Sequence, residues 1–188
     1  RVQWTTQACT DPLYQDNKAG LLGDKNHSVG ALVVEIVEGA FHVRSVRADE
    51  DGSFIDLGTR YNPDGTVEKN IRAEALTRGD EHIGFHSELC HAALDDITAR
   101  HKPKKIMVHD ILEAASVSHH RAHSIKARAT VPDHMEFIDS ECEGVRNWLK
   151  AMNKKKPKDA EIVIVPSNHN EHLHRYLAEG RFIKDCAR

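Results

Sequence analysis

Two kinds of hydrophobic patterning divide this chain near residue 70. Upstream, Ala31–Val37 (ALVVEIV) is a dense β-branched run, and Phe41–Arg47 (FHVRSVR) alternates apolar with polar, the period of a half-exposed strand. Glu38-Gly39 between them predicts the turn of a hairpin. Asp51-Gly52 predicts a second turn, Ser53–Leu57 a third short strand, and Asn62-Pro63-Asp64-Gly65 a further turn. Residues 1–28 are polar and mixed, with Asp11-Pro12 and the stretch from Gly20 to Gly23 reading as loop. This front section is β-rich and carries little sign of helix.

Downstream the period changes. Ala73–Arg78 is strand-like, and Ser87 is a good N-cap with Glu88 in the first turn. Leu89, Ala93, Leu94 and Ile97 then follow at helical spacing until Lys102-Pro103 stops the helix. Lys105–Val108 (KIMV) is a buried-type strand, and Ser116–Ala129 is compatible with helix or ordered loop. From Pro132-Asp133 onward, Ile138, Cys142, Val145, Leu149 and Met152 recur at spacings of four and three, a helix whose apolar face, with Trp148, belongs to the core. Glu161–Val165 (EIVIV) is the third buried strand, and His172–Ala178 opens another helix. This alternation predicts an α/β fold with a mainly parallel sheet over residues 70–188, behind a β-rich N-terminal extension over 1–69.

Composition narrows the function classes. A formal charge of −3 gives no global field to attract nucleic acid, so any DNA binding must use local cations or metals. No apolar run approaches the length of a membrane span, and no charged-then-apolar leader precedes the first strand, so a cytoplasmic protein without a membrane partner is expected. Cys9, Cys90, Cys142 and Cys186 lie far apart and read as free thiols of a reducing compartment. Fourteen histidines exceed ordinary need and favour metal chemistry.

Three segments concentrate that chemistry: Gly79-Asp80-Glu81-His82, His109-Asp110-Ile111-Leu112-Glu113 and Ser167-Asn168-His169-Asn170. Each follows a predicted strand, where an open α/β sheet builds its binding crevice. Asp80 and His82, two apart on an extended segment, would point to one side and chelate one ion. A carboxylate at Asp110, after an apolar strand, would be costly unless water or a cation reached it. Asn168 adds a neutral oxygen, and His169 a ligand or a hydrogen-bond donor. Hard oxygen and borderline nitrogen donors suit manganese, iron or zinc. Taken singly, these are a polar turn, a helix N-cap and two turn residues. Their recurrence after three strands favours a site.

The pattern resembles the calcineurin-like metallophosphoesterases, whose signature is D-x-H, then G-D-x-x-[DE], then G-N-H-[DE]. The resemblance covers about residues 70–188. It implies part of a metallophosphoesterase-type α/β sandwich and hydrolysis of a phosphodiester with two divalent metal ions, manganese first, iron or zinc as alternatives. It further implies that Asp80 and His82 hold one ion, Asp110 bridges, Asn168 holds the second, and His169 acts catalytically on the reacting phosphate. The GDEHIG run from Gly79 to Gly84 is similar to the first motif of the Sbc-type repair nucleases, which makes DNA the expected substrate. The RADEDGSFIDL stretch at Arg47–Leu57 resembles the DNA-transfer nucleases of large tailed phages.

Departures from the pattern are His109 and Ser167 in place of glycine, and Asn170 in place of the last acid. The family's later G-H and G-H-x-H motifs do not occur before Arg188, and with the Arg1 start this leads to the expectation of a truncated chain. An alternative of another class is an inactive phosphoesterase-like module that binds DNA or a protein partner. A single-metal H-N-H nuclease around His169-Asn170 fits the strand-led spacing less well. His119, His120 and His123 form a second cluster, with 119 and 123 one helical turn apart, but a solvated or supporting role is the plainer reading. His172 and His174 follow the third motif closely and leave a substrate-rim role open as the less favoured reading, and His86 and His91 read as a helix surface. The lysines at 102–105 and 154–158 read as solvated charges.

Overall fold

The β-branched run and its alternating partner form a hairpin, β1 (Gly30–Val37) against β2 (Ala40–Arg47), paired from Gly30↔Arg47 to Val37↔Ala40. Its turn places Glu38 at φ 49° and Gly39 at φ 82°, the doubly left-handed turn that matches the twist of paired strands. This is a computed structural model that describes residues 3–121, 124–129 and 137–183, and the chain divides into two compact units, Arg1–Ile71 and Arg72–Arg188.

The first unit continues with an antiparallel meander, β3 (Phe54–Asp56), β4 (Thr59–Tyr61) and β5 (Val67–Lys69). Phe54 stacks on Tyr61 with ring centroids 4.9 Å apart, and Arg44 of β2 holds Asp56 through Nε at 2.7 Å and Nη2 at 2.9 Å. The unit also holds a helix, α1 (Lys18–Asn26), where the sequence reads as loop. Asn17 caps it by accepting from the Gly20 N–H at 2.9 Å. The glycines that weaken the helical pattern have a packing role. A Cβ at Gly20 would fall 1.9 Å from the Gln15 carbonyl oxygen, and one at Gly23 2.7 Å from the Tyr14 ring. The preceding segment thus lies directly against this helix, a contact no local propensity encodes.

In the second unit β6 (Ala75–Arg78), β7 (Lys105–Val108) and β8 (Glu161–Ile164) form a parallel sheet in that order, a mixed α/β architecture. The first crossover carries α2 (Glu88–His101) and the second α4 (Ile138–Lys155), with the short α3 (Ile125–Arg128) before it; α5 (Asn170–Ala178) follows β8. Ile106 and Val108 of β7, Ile111 and Met152 form the core, with Val145, Trp148, Leu149 and Ile162 packed on it. The spacing of four and three along α4 is therefore the spacing of its buried face. Pro132-Asp133 lie outside the described residues.

Helix α2 turns a different face inward from the one its aliphatic spacing suggests. Leu89 is 81% exposed, and Ala93 and Ile97 also face solvent, while Thr98 is buried and His91, Leu94 and Asp95 are half-buried. The cause is polar. Arg78 and Glu81 are buried at the end of β6, and their charges need partners. Asp95 accepts from Arg78 Nη1 at 3.0 Å, and His91 Nε2 lies 2.5 Å from Glu81 Oε2. Among the described residues no helix is long and apolar enough to cross a membrane.

Candidate metal centre

The three segments singled out in the sequence leave the C-terminal ends of three adjacent parallel strands, and the first two stay zipped beyond the sheet. The N–H groups of Glu81, His82 and Ile83 donate to the carbonyls of His109, Asp110 and Ile111 at 3.5, 2.8 and 3.2 Å. On the other side Val165 N–H donates to the Val108 carbonyl at 2.9 Å. Asp80, His82 and Asp110 take left-handed backbone conformations, with φ of 52°, 37° and 50°. The Asp80–His82 segment is thus bent where the sequence suggested extension. Each such residue costs roughly 1 kcal/mol or more, and strain of this kind concentrates at functional sites.

Between the two, Glu81 is directed into the interior. Its side chain is 1% exposed, and it accepts from Arg78 Nε at 2.7 Å. Asp80 and His82 are left on the open side, with Asp80 Oδ1 4.0 Å from His82 Nε2. One donor atom from each of Asp80, His82 and Asp110 lies within 4.8 Å of the others. A second group of the same compactness joins His82 to Glu113 and His169. Glu113 Oε2 is 2.7 Å from His82 Nδ1 and 3.1 Å from His169 Nδ1, and the two imidazoles meet edge to face at 4.6 Å. Arg121 Nη2 donates to Glu113 Oε1 at 3.3 Å, and its guanidinium lies 5.4 Å over the Phe85 ring.

The donor set fits a divalent cation. Asp110 is buried, its Oδ1 has no hydrogen-bond partner among the described residues, and its Oδ2 lies 3.0 Å from His109 Nδ1. His82 Nδ1 is buried and likewise lacks an aligned hydrogen bond, despite its closeness to Glu113. Burial pushes the Asp110 carboxyl up, but the neighbouring Ser167 hydroxyl and His109, with the field of His169, outweigh it, so the group sits below the usual carboxylate range. A buried anionic oxygen without a donor, among imidazole nitrogens and a second carboxylate, is the environment a hard or borderline metal ion satisfies.

The two departures from glycine have a structural use. A Cβ at Gly79 would fall 2.6 Å from His109 Nε2, so the His109 ring occupies space that Gly79 leaves open. Ser167 donates to Asn170 Oδ1 at 2.6 Å, across the turn of the third motif. Asn168 stands on an exposed turn, where its carbonyl accepts from Glu171 N–H at 3.2 Å. Glu113 is the residue to which sequence reasoning assigned no role. Its signal was present, since it stands three places after Asp110, at the acidic end of the second motif.

The other histidines are more deeply engaged than the sequence suggested. His172 is 7% exposed, and its ring lies 5.2 Å from both His119 and His169 and 5.5 Å from His120. His123 lies outside the described residues. His86 and His91 read as helix surface but are half-buried and stack at 3.9 Å with 7° between planes, because Glu81 draws His91 inward. His174 is exposed. Cys9, Cys90 and Cys142 are free and exposed, and Cys186 lies outside the described residues.

No family model matches the chain. Over 190 aligned residues, 94% of its length, the chain is 33% identical to Protein A1 of Escherichia phage T5. It is thus similar to a phage protein, and it spans about a third of that relative's length, 33%.

Proposed function

We propose that the second unit is a metal-dependent phosphodiester hydrolase of metallophosphoesterase type, acting on DNA with two divalent ions, manganese first. The observation that carries this reading is the convergence of Asp80, His82 and Asp110 at the ends of adjacent parallel strands, with a buried Asp110 oxygen that lacks a donor. Bound divalent ions would lower the pKa of a shared water and offset charge on the phosphate oxygens. Asp80 and Asp110 bring the negative charge that favours such ions, His82 a nitrogen ligand, and Asn168 a neutral oxygen.

His169 is the catalytic residue of this reading. Glu113 engages its Nδ1 and fixes the ring, which leaves Nε2 as the nitrogen that can donate to a phosphate oxygen. His169 also stands at the N-cap of α5, where the positive end of the helix dipole favours a phosphate. A donor aimed at charge that grows during reaction lowers the barrier more than it strengthens substrate binding.

The test is a gel assay with manganese on single- and double-stranded DNA, run beside a chromogenic phosphodiester. Asp110→Asn should leave the circular-dichroism spectrum intact and reduce hydrolysis by about 100-fold or more, in the range set by loss of an electrostatic partner. His169→Ala should lose turnover far more than DNA binding. Undiminished activity in Asp110→Asn would remove this site assignment. Cleavage of the small ester with no cleavage of either DNA form would remove the nuclease reading and keep the phosphodiesterase one.

A further inference from the structure

A cleft of about 560 Å³ opens beside the candidate metal centre, and only part of it is accounted for by the carboxylates and imidazoles above. Asp80, His82, Glu113 and His169 line one part. Phe85, His86, Cys90, His91 and Leu94 are the larger side chains of the rest, which also includes Glu81 and Ser87. A lone phosphate fills a small fraction of this space, whereas clefts of about 300–1,000 Å³ take ligands of nucleotide size. The two linings differ in chemistry, one ionic, the other aromatic and apolar.

We propose that the aromatic part is a nucleobase subsite, with Phe85 as its stacking platform, so that the cleft recognises a nucleotide rather than an isolated phosphate. The proposal rests on the reading of the ionic part as a phosphate site. Phe85 is 39% exposed, a large aromatic left open beside an ionic cluster. His86 and His91, stacked nearly parallel, wall the same cleft with a further flat surface. Flat π-faces of this kind accept any base, and one stack changes affinity by about 10- to 100-fold.

The platform is also braced to the ionic part. Phe85 N–H donates to the His82 carbonyl at 2.8 Å, which fixes the Phe85 backbone three residues beyond a candidate ligand. Arg121 lies over the Phe85 ring while donating to Glu113, the carboxylate that engages both His82 and His169. A base seated on Phe85 would therefore keep its phosphate in register with the metal centre.

The experiment titrates the full chain, with and without manganese, with deoxyadenosine 5′-monophosphate and with 2-deoxyribose 5-phosphate, which has the same sugar and phosphate and no base. Calorimetry should show the nucleotide binding about tenfold tighter or more. Phe85→Ala should bring the two ligands to within about threefold, with sugar-phosphate and manganese affinities unchanged, and Phe85→Tyr should restore the preference. Should Phe85→Ala fail to fold, Phe85→Leu keeps the apolar volume and removes the π-face, and it should show the same loss. Equal affinity for the two ligands in the wild type, no binding of either, or a preference that survives both Phe85→Ala and Phe85→Leu would each overturn the subsite. Nucleotide preference without any DNA cleavage would keep the subsite and remove the nuclease reading; cleavage without preference would do the reverse.

Discussion

Replacing Glu81 should damage the second unit more than any other single change beside the candidate metal centre. The Glu81 side chain is 1% exposed and the Arg78 side chain 2%, and they meet at 2.7 Å. Removing one partner of such a pair leaves an uncompensated buried charge and costs about 3–5 kcal/mol. Arg78 would keep Asp95 at 3.0 Å and the Trp148 ring at 5.8 Å, which places Glu81→Leu near the lower end, at about 3 kcal/mol. With a urea slope of about 1–1.5 kcal/mol/M for a unit of this size, the midpoint should fall by about 2–3 M at constant slope. Trp4 and Trp148 are the only tryptophans, so a Trp4→Phe background makes fluorescence report on Trp148, beside the altered pair. The double variant Arg78→Met, Glu81→Leu removes both charges and should recover most of the loss. A single-variant loss below about 1 kcal/mol, or a double variant as unstable as the summed singles, would refute the claim that this pair directs the orientation of α2.

Gly79→Ala should push the His109 ring away from Asp110, since the added Cβ would fall 2.6 Å from His109 Nε2. Supporting partners of this kind change metal affinity by about 10-fold or more, so calorimetry with manganese should show at least that loss, and an unchanged affinity would dismiss the role of His109. Burial and then the neighbouring His169, His119 and His120 hold His172 below its ordinary value of 6.5. The unfolded chain therefore takes up that proton first, so this contribution to stability is complete above about pH 6.5 and is lost as pH falls through the folded value. The urea midpoint of the second unit should drop as pH falls below about 6.5, and His172→Gln should flatten that drop; an unaltered pH dependence in His172→Gln would exclude this residue as its source. With a net charge of −3, DNA affinity should weaken only modestly with salt, and a steep log–log slope would reveal a phosphate-binding surface beyond the metal centre.

Period and punctuation made the sheet of the second unit legible, because KIMV and EIVIV are short apolar runs bounded by turns; KIMV is the central strand, with Ile106 and Val108 buried, whereas EIVIV, read as buried, is an edge strand that leaves Glu161 and Ile164 exposed. The Ser87 cap and the stop at Lys102-Pro103 bound α2 because caps act through adjacent backbone. The orientation of α2 was hidden, since it depends on Arg78 and Glu81, whose burial no helical period reports. Glu141 illustrates the same limit. It is 3% exposed on α4 and accepts from the N–H groups of Ala115 and Ser116 and from the Ser116 hydroxyl, partners about 25 residues away. Asp80, His82 and Asp110 could be named from motif and strand position. The linkage of His82 to His169 through Glu113 could not, because it is made in space and not by spacing.

The left-handed backbone at Asp80, His82 and Asp110 sets stability against chemistry in a way that directed evolution would expose. Glycine at any of the three would relax the chain by about 1 kcal/mol and at the same stroke delete a donor atom. A library screened only for heat resistance or expression should therefore accumulate glycine at these positions, and its most robust members should be those that have lost the candidate ligands. Retention of the three side chains under such a screen would mean that an ion, carried through expression, already contributes more to the folded state than the backbone loses.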